Sequence, residues 1–252
     1  MLLAILSDVH ANADALRAVL ADLRTNGAHH VLCLGDLVGY NAFPRETLAL
    51  LRDHEIRSIH GNHDLMALAR LPDDGCGRLA RKAIQWTRGV LTEDDWWYLA
   101  GLPGEVREQN LLCVHSAPGD PLIRLEHAEQ FRSEAEALVE SDARVSVCFT
   151  GHTHRQEIVV VTPDGNVQRS RGLDADLPRD AICFVNPGTV GHPRDRDPRA
   201  AYALFDCDTR RVSFRRVVYD RAPLLRQNRK VGLVPPSNLR RVAARVLGFP
   251  RP

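Results

Sequence analysis

Five short stretches of this 252-residue chain place histidine, aspartate or asparagine directly behind an apolar run. Leu2–Leu6 ends in Ser7-Asp8-Val9-His10, Val31–Leu34 in Gly35-Asp36, and Arg57–Ile59 in His60-Gly61-Asn62-His63-Asp64. Leu111–Val114 ends in His115, and Val145–Thr150 in Gly151-His152-Thr153-His154. A single histidine behind a strand is more often a satisfied core residue than a ligand. Taken together, Asp8, His10, Asp36, Asn62, His115, His152 and His154 are oxygen and nitrogen donors with no thiolate among them. If Asp36 bridges, these residues fill four positions around each of two ions, which is a dinuclear ligand set. Without metal, two carboxylates and four imidazoles at one place would carry a heavy desolvation cost. Cysteine-free coordination argues against a structural zinc knuckle, and imidazole with carboxylate suits Mn, Fe, Zn or Co.

Two dications held by two aspartates keep a net positive charge, so such a centre attracts an anion. Ions about 3.5–4 Å apart can share a water, lower its pKa toward neutrality and clamp both the attacking and the leaving oxygen of an in-line displacement at phosphorus. Asn62 suits this arrangement because its amide oxygen ligates without adding charge.

The elements that must position these residues are legible from periodicity. Behind the Leu2–Leu6 strand, Ala11–Arg24 spaces Ala15, Leu16, Val19, Leu20 and Leu23 as one helical face. Val31–Leu34 is followed by Arg45–Arg52, with Pro44 where proline suits a helix start, and Arg57–His60 by a helical segment from about Asp64 to Ala69. Three β–α units predict a parallel, right-handed α/β arrangement whose strand carboxyl ends share one edge, where ligand sites collect. Leu71–Pro103 reads as a helical insertion carrying Trp86, Trp96, Trp97 and Tyr98. That cluster suits satellite core, a lid or a subunit contact, which leaves a homo-oligomer open. Further strands follow from Leu111 to Val218, with one clear helix at about Ala128–Val139 and a hairpin turn at Thr162-Pro163-Asp164-Gly165-Asn166. This second half is expected to form an antiparallel sheet packed on the first.

Composition bounds the rest. With 44% hydrophobic and 26% charged residues the chain is neither disordered, collagen-like nor a coiled coil. Its length favours one domain with a substantial core, expected over residues 1–232. Residues 233–252 are expected as a tail or docked helix, with Asn238–Leu247 amphipathic and bearing Arg240, Arg241 and Arg245. No apolar run approaches the roughly 18 residues of a membrane span, and no basic leader precedes Leu2, so a cytoplasmic protein without membrane contact is expected. Cys33, Cys113, Cys148 and Cys183 lie in apolar runs and read as buried free thiols. Residues 1–150 carry 14 Lys+Arg against 22 Asp+Glu, and residues 151–252 carry 19 against 10. Either the halves interleave on one surface, or acidic residues of the first half hold cations while arginines of the second meet an anion.

The blocks Asp8-x-His10, Gly35-Asp36, Gly61-Asn62-His63-Asp64, His115 and Gly151-His152-x-His154, in this order, resemble the calcineurin-like metallophosphoesterases. The resemblance spans Leu2 to about Phe205. It implies an α/β (α+β) fold of the four-layer α/β/β/α sandwich type and two divalent ions, manganese being the first choice. It implies that Asp8, His10, Asp36 and His154 hold one ion, and Asp36, Asn62, His115 and His152 the other. His63 matches the family's non-ligand histidine, which protonates the leaving oxygen or stabilises the charged transition state, while a metal-bridging hydroxide attacks phosphorus. Asp64 either orients that imidazole or caps the helix it opens. The chain is most similar to small bacterial phosphodiesterases and phosphatases in which Asn-Pro-Gly-Ser/Thr follows the paired histidines, here Asn186-Pro187-Gly188-Thr189. Arg194 is the best choice for an arginine reaching a phosphate oxygen. Asn12 reads first as a helix cap and second as a substrate contact. The segment Gly39-Tyr40-Asn41-Ala42-Phe43-Pro44 departs from the commoner wording.

Phosphodiesters of nucleotides, phosphomonoesters and dinucleoside polyphosphates all satisfy such a centre. A non-catalytic binding module on the same fold is the competing class, and it need keep neither every ligand nor His63. A nuclease would need a continuous basic groove, which scattered arginines do not establish, so nucleic acid is not indicated.

Overall fold

In the computed structural model, which describes residues 1–28 and 30–234, the strands form two six-stranded mixed sheets. The first runs β3 (Arg57–Ser58), β2 (His30–Cys33), β1 (Leu2–Leu6), β11 (Ala200–Asp206), β12 (Arg211–Val217) and β9 (Ala175–Asp176). The second runs β4 (Glu105–Glu108), β5 (Leu111–Val114), β6 (Val147–Phe149), β10 (Ile182–Pro187), β7 (Gln156–Val161) and β8 (Val167–Arg171). The helices are α1 (Ala13–Asn26), α2 (Pro44–Asp53), α3 (Asn62–Ala67), α4 (Arg78–Val90), α5 (Glu93–Ala100), α6 (Ala128–Ser141) and α7 (Ala222–Lys230).

The period-two alternation of side chains along a strand sorts the apolar residues into layers. Ala4 and Leu6 of β1, with Tyr202 and Leu204 of β11, pack against Leu16, Val19 and Leu23 of α1 and Leu48 and Leu51 of α2. Their neighbours Ile5, Ala203 and Phe205 face the other way and meet Val147, Phe149, Cys183 and Val185 of the second sheet. On that sheet's outer face Leu112, Cys148 and Phe184 pack on Phe131, Ala135 and Leu138 of α6. The result is the four-layer helix, sheet, sheet, helix sandwich that the resemblance implies.

The division between the halves differs from the sequence expectation. Strands β9, β11 and β12, which lie in the stretch from Leu111 to Val218, complete the first sheet, while β5, β6, β7, β8 and β10 of that stretch form the second together with β4. Neither sheet is purely antiparallel or parallel: β1, β2 and β3 are mutually parallel, as are β5, β6 and β10, and both sets are flanked by antiparallel partners. Apolar alternation says that a strand has two buried faces but not which neighbour it hydrogen-bonds, so the sequence does not reveal this exchange. The short or polar elements β4, β9 and α7 escaped the periodicity as well. Helix α3 begins at Asn62, two residues before its expected start, which puts Asn62 and His63 in its first turn.

The β7–β8 hairpin forms around the expected turn, with Val161 opposite Val167. The aromatic insertion residues do not make one cluster. Trp86 packs with Ala42, Ala83 and Leu233, Tyr98 joins the helix-covered face of the first sheet, and Trp97 is 62% exposed. The cysteines are all free, with Cys33, Cys113, Cys148 and Cys183 buried. Among the described residues no helix is long and apolar enough to cross a membrane. The expected Asn238–Leu247 helix lies outside the described residues.

Phe205 sits between the sheets with its ring edge against Phe149, the centroids 5.3 Å apart. Replacing it with alanine should cost about 3–5 kcal/mol, measured by urea denaturation.

Candidate metal centre

Each chemical block sits just past the carboxyl end of a parallel strand. Asp8 and His10 follow β1, Asp36 follows β2, and Asn62 and His63 follow β3 from the first sheet; His115 follows β5, and His152 and His154 follow β6 from the second. The expected single edge is therefore a crevice between two sheets, each contributing one side. Aiming these side chains inward takes unusual backbone. Asp8, His10, Asp36, His152 and His154 have φ of 54°, 49°, 53°, 63° and 63°, the left-handed region that non-glycine residues seldom occupy. Such strain, about 1–3 kcal/mol per residue, persists where surrounding contacts over-determine it and concentrates at functional sites.

Those contacts are visible. The peptide N–H groups of Asp8 and His10 donate to Gly35 and Asp36 carbonyls, and Gly191 N donates to Asp8 O. Thr189 Oγ1 donates to Asp8 O at 2.7 Å, and Asn186 Nδ2 to Gly151 O at 2.6 Å. The Asn186–Thr189 segment is thus a brace for the Asp8 and Gly151 loops as well as a turn. At Gly61 a Cβ would run into Asp36 Oδ1, so only glycine lets these two blocks touch.

Hydrogen bonds fix the imidazole tautomers. A carbonyl only accepts, so Nδ1 of His10 donates to Val38 O (3.2 Å), that of His115 to Leu34 O (2.8 Å) and that of His154 to His192 O (2.5 Å). In the neutral rings each Nε2 then carries a lone pair turned into the crevice. His10 Nε2 and His154 Nε2 face one another at 3.2 Å, with Asp8 Oδ1 at 3.0 Å from the latter. That carboxylate oxygen is buried and has no hydrogen-bond partner. Across the crevice His115 Nε2 faces Asn62 Oδ1 at 3.1 Å and His152 Nδ1 at 3.3 Å. Between the two groups lies Asp36 Oδ2, 3.6 Å from His10 Nε2 and 3.4 Å from His115 Nε2. Its other oxygen accepts from His63 N at 2.8 Å.

Acceptors facing acceptors in a buried site repel unless a cation lies between them. The donor set therefore fits divalent metal, and Asp8–His10–His154 and Asp36–His115–His152 are two groups that could each hold an ion. His10, Asp36 and His63 form a third, overlapping group. Protonation states follow the same logic. Burial works against a charge on His115, but Asp36 and Asp8 outweigh it and raise its pKa to about 9. Burial lowers His63 and His152 to about 3, with His115 adding to the effect at His152. Asp64 is pushed up to about 7 by burial and by Asp36, although it accepts from Gly61, Leu37 and Val38 backbone N–H groups. It caps α3 and ties the Asp36 loop to it, and makes no hydrogen bond to the His63 ring.

Of the other predicted residues, Asn12 is fully buried. Its Oδ1 accepts from Ala15 N, and Nδ2 donates to Gly191 O and Tyr219 Oη, which makes it the α1 cap. Arg194 reaches the rim, where Nη2 donates to Tyr40 Oη at 3.3 Å. Several other second-half arginines are held in ion pairs, Arg169 with Glu157 and Arg199 with Asp197 inside that half and Arg215 with Asp22 across to the first. Sequence reasoning missed Arg124, whose Nε donates to His152 Nε2 at 3.3 Å, and His192, stacked on Tyr40 with centroids 4.0 Å apart. An isolated arginine in a loop carries no pattern, and His192 was visible only as part of the loop around Arg194.

A family model for the calcineurin-like phosphoesterase superfamily domain matches residues 1–210. The chain belongs to the calcineurin-like phosphoesterase superfamily. It is 32% identical over 223 residues to an uncharacterized protein of Methanocaldococcus jannaschii, spanning 87% of this chain and 88% of that one. A crystal structure of a metallophosphoesterase from Sphaerobacter thermophilus is 36% identical, with a TM-score of 0.77 over 97% of this chain and 99% of that one. A hypothetical protein from Pyrococcus horikoshii shares the fold at 20% identity, with a TM-score of 0.74 over 94% and 95% of the two chains.

For this phosphoesterase two outcomes follow. In the metal-free protein His63 and His152 refuse protons that the unfolded chain takes up below its ordinary pKa of about 6.5, so stability falls as pH drops from there toward 3. The His115 contribution runs oppositely, present below about 6.5 and lost as pH rises through about 9. Metal-free Tm should therefore peak near pH 6.5 in a calorimetric scan. Gly61→Ala should lower divalent-ion affinity by at least about tenfold, measured by calorimetric titration, by pushing Asp36 Oδ1 aside.

Proposed function

We propose that this phosphoesterase hydrolyses small phosphoester substrates with two divalent cations, one held by Asp8, His10, Asp36 and His154 and one by Asp36, Asn62, His115 and His152. The observation that carries this reading is the two clusters of potential ligand atoms on either side of Asp36 Oδ2. When bound, the cations supply Lewis acidity that activates water and offsets phosphoryl charge, and manganese suits these donors as well as iron, zinc or cobalt does.

The chain's own groups divide the remaining work. Asp36 holds the two halves together through one shared oxygen. The bonds from Nδ1 of His10, His115 and His154 to carbonyls keep each Nε2 lone pair aimed and raise its basicity. His63 is the non-ligand histidine: its backbone is pinned to Asp36 while its buried ring leaves Nδ1 without a hydrogen-bond partner. That ring serves the departing oxygen, by giving it a proton or by stabilising its charge. Arg194 and Arg124 approach from opposite flanks of the crevice and meet phosphoryl oxygens as charged donors. Nucleotide-like phosphodiesters and phosphomonoesters are the proposed substrate class. Free thiols throughout suit a reducing compartment, and a cytoplasmic location belongs to this reading.

Bis(p-nitrophenyl) phosphate, offered with manganese and then with excess chelator, should release nitrophenol only in the first case. A scaffold that merely kept the fold releases none in either. Replacing His63 with alanine should lower kcat by about 10²–10⁴-fold and leave metal content unchanged by elemental analysis. Asp36→Asn should lose metal and turnover together, and loss of ions from the His63 variant would overturn the division of roles.

A further inference from the structure

Nothing polar holds the His63 ring. Its Nδ1 is buried and unpartnered, and Asp64, the obvious candidate to orient it, spends both oxygens on backbone N–H groups. The ring is touched by the edge of His10, with centroids 4.8 Å apart, and by the Gly39-Tyr40 segment, which packs closest against Nδ1. A Cβ at Gly39 would collide with His63 Nδ1, and the Tyr40 ring packs on the imidazole with centroids 4.6 Å apart and planes inclined at 34°. Tyr40 also stands edge-on to His10 at 4.7 Å and stacks on His192 at 4.0 Å. Its backbone is held in the left-handed region at φ 53°, directly after Gly39 at φ 90°. Two such residues in succession persist because the loop is tied on both sides. Leu37 and Val38 donate to Asp64, and Asn41 Nδ2 donates to His10 O at 2.8 Å. At its far end the phenol oxygen accepts from Arg194 Nη2.

From these contacts we infer that Tyr40 is a positioning residue: its ring fixes the orientation of His63, and its hydroxyl fixes Arg194, so that leaving-group assistance and phosphoryl binding keep a constant relation. The two functions reside in different parts of one side chain and are separable. The aromatic face restrains an imidazole that has no hydrogen bond of its own, and the hydroxyl supplies a fixed acceptor to a guanidinium that would otherwise sample many rotamers. Rings already packed on Tyr40 also occupy the surface on which a nucleobase would stack, so this residue acts on the phosphoester end of a substrate.

The claim rests on the hydrolase reading, and its test contains an arm that does not. In the manganese enzyme, Tyr40→Phe keeps the ring and removes the hydroxyl; it should raise KM for a phosphoester about tenfold, the scale of a lost charged hydrogen bond, with kcat within about twofold. The double variant with Arg194→Met should be no worse than Arg194→Met alone. Tyr40→Leu fills much of the volume without the ring and should lower kcat by about 10²-fold, shared with and not added to the His63→Ala loss. In histidine-labelled, metal-free protein, the His63 nitrogen and carbon-proton resonances should be sharp in the parent and in Tyr40→Phe and exchange-broadened or shifted in Tyr40→Leu. Equal kinetic effects of Tyr40→Phe and Tyr40→Leu, additivity with Arg194→Met, or unchanged His63 resonances in Tyr40→Leu would each overturn the assignment. If no phosphoester is turned over by the parent, the hydrolase reading fails while the resonance measurement still decides whether Tyr40 orients His63.

Discussion

In the interior of this protein, lone pairs point at lone pairs. With each Nδ1 donating to a carbonyl, the Nε2 atoms of the neutral His10 and His154 rings face each other and a carboxylate oxygen of Asp8 as acceptors. At low effective dielectric such an arrangement is repulsive, and it is held by carbonyl bonds to the far side of each ring, by left-handed backbone at five donors and by the Asn186–Thr189 brace.

The sandwich makes this tolerable. The ligand loops emerge from strands whose apolar alternation locks them between layers, so that Ile5, Phe149, Val185 and Phe205 are packed on all sides a few residues from the donors. Rigid strands that end together can hold strained loops, whereas a surface loop would relax by a change of φ. The same packing explains why the donors come from two sheets. Neither half of the chain can supply a complete set, and the centre exists only where the inner faces of the sheets meet.

Superfamily membership and the 36% identity to a Sphaerobacter thermophilus metallophosphoesterase place this arrangement on a phosphoesterase fold. Tyr40, His192, Arg194 and Arg124 lie at the rim of the centre, where Tyr40 packs on His10 and His63, His192 O accepts from His154 and Arg124 donates to His152. Helix α7 reaches this region from the C-terminal side through Asn228, which donates to Asn41 Oδ1 at 2.8 Å.

The sequence by itself determined the donors and their local settings. Residue type sets which atoms can bind a cation, and an apolar run followed by Asp-x-His, Gly-Asp, Gly-Asn-His-Asp or Gly-His-x-His marks a strand and the loop beyond it. The helical faces of α1, α2 and α6, the β7–β8 turn and the buried thiols were equally local and equally legible. Only the tertiary structure decided which strands are neighbours, because alternation encodes burial and not partnership; hence β11 and β12 joining the first sheet. It alone showed that Asn12 is consumed as a cap, that Asp64 ties loops and does not touch the His63 ring, and that Tyr40 and Arg124 reach the centre. Those outcomes depend on distances between residues far apart in the chain, and such distances are set by how the layers pack.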